Sequence, residues 1–123
     1  MSLVCRVFLL IFAVCLVPAL GQTATAHALV VESAPAADGS VAGPDIEISL
    51  RFNSRLDQKR SQLTLVDPEN ANHRLAVSPA SAPDMLQAKA SGLRPGAYKL
   101  RWQVLAIDGH ITRGDIPFRV TRP

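Results

Sequence analysis

Two segments of this chain carry residue types that could bind a metal ion. The first is His27, which follows Ala24-Thr25-Ala26, a small-residue pattern typical of the cleavage site of a secretory leader. We expect cleavage between Ala26 and His27. The new terminus then offers two metal-binding nitrogens, the free α-amine and the His27 imidazole, and this chelate does not exist while residue 26 is attached.

The second segment is Asp108-Gly109-His110. Residues two apart in an extended segment project to the same side, so the carboxylate and the imidazole can converge on one point. Gly109 between them allows the backbone to turn tightly. Alone, this tripeptide is more typical of a hairpin turn than of a ligand pair, and an unanchored terminal histidine binds copper weakly. Together they form a candidate site.

The candidate donors are three nitrogens and one oxygen, from His27, Asp108 and His110. Such a planar set suits Cu(II), whose tetragonal preference separates it from tetrahedral Zn(II). Both cysteines, Cys5 and Cys15, lie in the leader, so the mature chain has no thiolate for a blue-copper or Cu(I) site. We therefore predict one bound Cu(II) ion.

The leader is predicted from an apolar run over residues 3–20 with Arg6 as its only charge. A single transmembrane anchor is the alternative, since the run is long enough to span a bilayer, and a cut after Gly21 would leave His27 internal. The small residues before His27 favour cleavage there. We expect residues 1–26 to be removed, and residues 27–123 to form one exported domain without a membrane-spanning segment.

Charge and length limit the partners of this domain. The chain has 13 basic and 10 acidic residues, and removal of Arg6 changes the net charge from +3 to +2. Because basic and acidic residues are nearly equal in number, the net charge gives no support to a nucleic-acid or anionic-membrane partner. The remaining 97 residues suffice for one domain and not for two.

The mature sequence predicts β-structure throughout. Apolar and polar residues alternate over 46–52, 98–104 and 116–120, the period of half-buried strands. Weaker strand candidates are 28–32, 62–66, 74–77 and 85–88, separated by turn residues. Seven short strands in under 100 residues indicate an antiparallel Greek-key sandwich or barrel with a core of Val, Ile and Leu. Trp102 and Met85 are predicted in or near the core, and His73 in a solvated loop.

This sequence resembles the CopC-type periplasmic copper-binding proteins over nearly all of residues 27–123. The resemblance lies in the His27-Ala28 start, the segment 32–40 (ESAPAADGS), the strand 48–53 (ISLRFN), the segment 93–98 (LRPGAY), and Asp108-Gly109-His110 with Trp102, Gly114 and Phe118. It implies a seven-stranded cupredoxin-like or immunoglobulin-like sandwich. It also implies Cu(II) bound by the α-amine and Nδ1 of His27, by His110 and by Asp108.

The chain departs from the family pattern in three respects. Some members have a glutamate near the copper where this chain has Asn53-Ser54-Arg55, and many have serine where it has Ala106, which removes a hydrogen bond behind the ligands. Methionine-rich Cu(I) loops have no counterpart either. We expect a monomeric carrier or buffer for Cu(II), which either passes copper to a separate inner-membrane importer of the CopD type or sequesters it.

Two other functions remain open on sequence alone. Copper monooxygenases that attack polysaccharides also use an N-terminal histidine and a second histidine, but they need a broad face with exposed aromatics, and Tyr98 and Trp102 share the inward phase of their strand. A structural or adhesive sandwich without metal is the other alternative. No Ser-His-Asp set, carboxylate pair or phosphate loop favours another enzyme, so we predict a protein without catalytic activity.

Overall fold

The computed structural model describes residues 28–79 and 82–123. The predicted leader over residues 1–26 and the candidate ligand His27 therefore lie outside the described residues. The described part of the chain contains eight strands and one short 3-10 turn at Gln58–Arg60. The strands are β1 (Val30–Ala34), β2 (Gly39–Ala42), β3 (Ile46–Phe52), β4 (Gln62–Val66), β5 (Asn72–Leu75), β6 (Met85–Ala90), β7 (Gly96–Leu105) and β8 (Ile111–Thr121).

The strands form two sheets that pack face to face. The smaller sheet has the order β1-β3-β6 and the larger sheet has the order β2-β8-β7-β4-β5. Neighbours pair antiparallel except β2 and β8, which pair parallel with Gly39 opposite Phe118. The all-β sandwich predicted from the sequence is confirmed. Within the described residues, no helix is long and apolar enough to cross a bilayer.

The predicted count of seven strands is wrong, because β2 adds an eighth. Its residues Gly39–Ala42 contain a single large apolar side chain, Val41, so no alternation marks them as a strand. The Asp38-Gly39 pair before them indicates a turn, and Asp38 does have a positive φ of 59°. The parallel pairing with β8, which lies far along the chain, also departs from a purely antiparallel sandwich.

The strongly alternating segments form the structure that their period predicts. In β3, and in β7 from Tyr98 onward, the even-numbered positions are buried and the odd-numbered ones are more exposed. Of the weaker candidates, β4 has the predicted bounds, β6 is two residues longer than predicted, and β1 and β5 are each displaced by two residues. β5 covers Asn72–Leu75, so His73 lies in a strand and the prediction of a loop position is wrong, although its side chain is exposed.

The core between the sheets consists mainly of Val, Ile and Leu, as predicted, with four aromatic rings among them. Phe52 and Trp102 meet edge to face with centroids 5.2 Å apart, while Tyr98 and Phe118 stack at 5.8 Å. All four side chains are buried. Trp102 is thus a core residue, and Met85 is only half-buried at the edge strand β6.

Two local features fix the position of β7. The Tyr98 hydroxyl donates a hydrogen bond of 2.8 Å to the Arg94 carbonyl oxygen, an arrangement similar to the tyrosine corner of immunoglobulin-like sandwiches. Further along β7, Trp102 lies opposite Gly114 of β8. A Cβ at position 114 would overlap the Trp102 indole, so glycine leaves the space that the ring occupies.

Candidate metal centre

The Asp108-Gly109-His110 segment forms the tip of the hairpin between β7 and β8. Leu105 and Ile111 are the last residues paired in that hairpin. The loop is closed by a hydrogen bond of 2.8 Å from the Ala106 amide to the His110 carbonyl, and by one of 2.9 Å from the Gly109 amide to the Ala106 carbonyl. Gly109 has a φ of +91°, which favours glycine. The turn role predicted for Gly109 is confirmed.

This turn brings the two predicted ligands of the hairpin together. The His110 amide donates to Asp108 Oδ1 at 3.1 Å, and Asp108 Oδ2 lies 3.1 Å from His110 Nδ1. Both side chains are accessible, with 38% of Asp108 and 59% of His110 exposed. A metal ion in solution can therefore reach both side chains.

The electrostatics of the turn keep Asp108 in its charged form. The hydrogen bond from the His110 backbone amide, followed by the contact with the His110 side chain, lowers the pKa of Asp108 below its usual range. Hydrogen bonds to a carboxylate favour its ionised state. Asp108 is consequently a carboxylate donor, ready to bind a cation, throughout the neutral pH range.

The start of the described chain lies at the same end of the sandwich as this turn. The Leu29 amide donates to Asn53 Oδ1 at 2.8 Å, and the Asn53 amide donates to the Leu29 carbonyl at 3.0 Å. Two residues further on, the Arg55 carbonyl accepts a 3.0 Å hydrogen bond from the Ile107 amide. The segment 53–55 thus connects the chain start to the loop that carries Asp108.

Asn53 has a role that the sequence did not reveal. The sequence analysis singles out this position only because it lacks a carboxylate. In the structure the Asn53 side chain accepts a hydrogen bond from the Leu29 amide. Ala28, which precedes Leu29 in the sequence, is fully buried in the core. The hydrogen bond between Asn53 and Leu29 was hard to predict from sequence. An asparagine side chain often binds nearby backbone groups, but its position in the sequence does not identify a distant partner.

The described residues contain part of the predicted ligand set. Asp108 and His110 are together, whereas His27 lies outside the described residues, and no group of three or more His, Cys, Asp or Glu that could hold a metal occurs within 28–79 and 82–123. The third histidine, His73, pairs with Asp67 at 2.9 Å. This second pair lies at the opposite end of the sandwich, where β4 ends and β5 begins.

Taken together, the two sheets and the Asp108–His110 turn define a small all-β sandwich with an accessible donor pair on one hairpin. The CopC domain model matches residues 30–121, so this chain belongs to the CopC family. Among curated proteins, YobA from Escherichia coli K12 is 31% identical over 98 residues, which cover 77% of this chain and 79% of YobA.

Solved structures give the same result. CopC from Methylosinus trichosporium OB3b has a TM-score of 0.72 at 29% identity, with 78% of this chain and 95% of that chain covered. PcoC, a methionine-rich copper resistance protein from Escherichia coli, has a TM-score of 0.64 at 29% identity, with 78% and 100% covered. The resemblance to the CopC type on sequence motifs is confirmed.

Proposed function

We propose that this protein serves copper resistance or homeostasis by binding one Cu(II) ion through His27, Asp108 and His110. The observation that carries the proposal is the double attachment of the segment 53–55, which binds Leu29 on one side and Ile107 on the other. Ala28 and Leu29, the described residues that follow His27 in sequence, lie at the same end of the sandwich as Asp108 and His110. The copper resistance function of the similar PcoC supports this choice of ligand.

The described donors are compatible with this ion. Two ligands about 2.0 Å from a metal and at right angles to each other are about 2.8 Å apart, close to the 3.1 Å between Asp108 Oδ2 and His110 Nδ1. With the amine and imidazole of His27, the set has three nitrogens and one oxygen, which suits a tetragonal Cu(II) centre. Asp108 provides the negative charge of this donor set.

Proton competition sets the pH dependence of this site. The α-amine and the imidazole of His27 must be unprotonated to bind copper. The ordinary pKa values of these two kinds of group are about 8 and about 6.5. The pKa of Asp108 is lowered by the His110 amide, so this carboxylate does not limit binding near neutrality. We expect the affinity for Cu(II) to fall as pH drops below about 8, and more steeply below about 6.5.

The proposal includes removal of residues 1–26 and a periplasmic location for residues 27–123. Only cleavage before His27 creates the amine-imidazole chelate. Binding rather than catalysis is proposed because the described aromatic side chains, Phe52, Tyr98, Trp102 and Phe118, are all buried and thus form no stacking surface for a polysaccharide. A monomer of this kind would either deliver copper to a separate inner-membrane importer or sequester it.

The decisive experiment compares two versions of the mature chain. One begins at His27, and the other carries a single additional alanine before it. We expect the extended version to lose the high-affinity Cu(II) species, because its α-amine is displaced from the imidazole. Copper titration with electron paramagnetic resonance detection measures this. Equal affinity and an unchanged spectrum in both versions would refute the proposal.

The second Asp–His pair of the fold offers a matched control for the hairpin ligands. His110→Ala should weaken Cu(II) binding at least tenfold, whereas His73→Ala should leave it within about twofold. Asp108→Asn, which keeps an oxygen for the His110 amide, should also weaken binding, and Asp67→Asn should not. Similar losses at both ends of the sandwich would show that copper binds to exposed Asp–His pairs in general.

A further inference from the structure

The outer faces of the two sheets differ in charge. Cross-strand partners project to the same face, so the pairing identifies the residues that point away from the core. On the larger sheet these include five basic residues and one acidic residue, namely Arg74, Lys99, Arg101, Arg113, Arg119 and Asp115. We call this surface the basic face.

The outer face of the smaller sheet is balanced. It pairs Glu32 with Arg51 and Glu47 with Lys89, and the Arg51 guanidinium lies 3.5 Å from the Glu32 carboxylate. Two acidic and two basic side chains therefore cancel there. The small net charge of the chain hides an uneven distribution, because the excess of cations lies on one side.

The basic face is compact enough for its charges to act together. From Arg113 to Arg119 it extends about 20 Å along β8, and from β8 to β5 it extends about 15 Å across the sheet. Among the described outward-facing residues of these strands the acidic one is Asp115, which forms a 3.0 Å ion pair with Arg101. Asp38 and Asp67 border the end of the face where Lys99 and Arg119 lie. Charges spaced by roughly one Debye length add their potentials at a planar surface of opposite charge.

Apolar side chains lie at one end of this face. Leu105 and Ile111 are paired on it where β7 meets β8, and Ile107 follows in the loop. Ile111 is 53% exposed and Ile107 is 71% exposed, which is unusual for such large aliphatic residues. A surface that joins exposed aliphatic residues to a cluster of cations is typical of proteins that lie on an anionic membrane.

From this arrangement, we propose that the basic face docks on a bilayer rich in anionic phospholipid, with Ile107 and Ile111 entering the headgroup layer. The cations complement the lipid phosphates, and the aliphatic end gains by leaving water. Docking in this orientation brings the hairpin tip with Asp108 and His110 to the membrane surface. The inference does not depend on copper, and its test uses metal-free protein in the presence of a chelator.

The test measures sedimentation of the chain from His27 onward with vesicles of phosphatidylglycerol and phosphatidylcholine, and with phosphatidylcholine alone. Both sheets and the core lie within the described residues from Ala28, so this chain keeps its fold and omits the apolar segment 3–20. We expect binding to the anionic vesicles that weakens as salt rises, and little binding to the neutral ones. Equal binding to both would overturn the proposal.

Two double variants of equal charge change test the face. Lys99→Gln with Arg119→Gln should weaken binding about 25-fold, at about fivefold for each cation. Arg51→Gln with Lys89→Gln on the smaller sheet should weaken it no more than about threefold. Circular dichroism and thermal unfolding verify that both fold. Equal losses from the two pairs would refute the assignment of the face.

A second comparison tests the aliphatic end. Ile107→Ser should weaken binding about tenfold if the side chain enters the headgroup layer, while Val31→Ser, at a residue 55% exposed on β1, should not. An acidic protein is the rival partner for the basic face. If the chain ignored anionic vesicles yet bound soluble polyglutamate through Lys99 and Arg119, the lipid proposal would be overturned.

Discussion

Asp67 and His73 show how one pair near the surface can affect the acid stability of the fold. The His73 Nε2–H group donates to Asp67 Oδ2 at 2.9 Å, and the Ala71 amide donates to Oδ1. The side-chain hydrogen bond from His73 is the largest cause that lowers the pKa of Asp67, and the Ala71 amide is the next. A carboxyl group with a lowered pKa stabilises the folded state at pH values above its unfolded pKa, about 3.9.

This contribution is lost as pH falls through the lowered pKa of the folded state. We predict that His73→Ala raises the pKa of Asp67 toward its ordinary value and flattens the dependence of stability on pH below about 4. Carboxyl carbon shifts followed by NMR during an acid titration measure the first effect. An unchanged Asp67 titration in His73→Ala would contradict the assignment of the hydrogen bond.

The residues of the candidate site were predictable to different degrees. Asp108, Gly109 and His110 are adjacent in sequence, so their convergence follows from local geometry. The anchoring of Leu29 by Asn53 does not, because it joins residues 24 positions apart and depends on the packing of β1 against β3. Sequence alone predicts candidate donors, but not the contact between Asn53 and Leu29 that lies near two of them, Asp108 and His110.

At the level of elements, the pairing of β7 with β8 depends on Gly114. Because a Cβ there would overlap the Trp102 indole, Gly114→Ala must displace the ring or bend β8. We predict a loss of about 1–3 kcal/mol in the free energy of unfolding, seen as a fall in Tm of roughly 4–8 °C per kcal/mol. Calorimetry or thermal circular dichroism measures the change.

A double-mutant cycle identifies the cause. With the smaller ring of Trp102→Phe, the added methyl group should cost less than it does beside tryptophan, and the difference is the interaction between the two positions. An equal cost in both backgrounds would assign the loss to the conformation of Gly114 itself.

The elements predicted correctly are those whose alternation reflects burial on one side. β3, most of β7 and the second half of β8, residues 116–120, face the core with large apolar residues at every second position, so the pattern contains the information. The first half of β8 was missed because its inward positions are Thr112 and Gly114. β2 was missed because Val41 is its only large apolar residue, and its position is set by pairing with β8. β5 lies at an edge of the sheet and its residues are mostly exposed, so apolar and polar residues do not alternate along it.

At the scale of the molecule, copper binding should increase the free energy of unfolding. A ligand that binds only the native state stabilises it by about 2.7 kcal/mol when its free concentration is 100 times its Kd. We predict that Cu(II) raises the Tm of the chain that begins at His27 and that a chelator reverses the shift. Differential scanning calorimetry measures this. No shift at that excess would favour a sandwich without a metal role.

Whole-chain averages conceal how charge is distributed. The sequence shows a nearly even balance, which argues against an anionic partner. The strand register separates the cations of β7 and β8 from the balanced outer face of β1, β3 and β6. That separation depends on which strands pair and in what register, so composition cannot reveal it.

The burial of Ala28 bears on the order of maturation events. A peptidase needs several residues on each side of the cut bond in an extended, accessible form. Once the sandwich has closed, Ala28 is fully enclosed and Leu29 is tied to Asn53 at two points. If the leader is cut before His27, as we propose, we expect cleavage to precede folding, and a precursor that folds first to be cut only when this segment opens again.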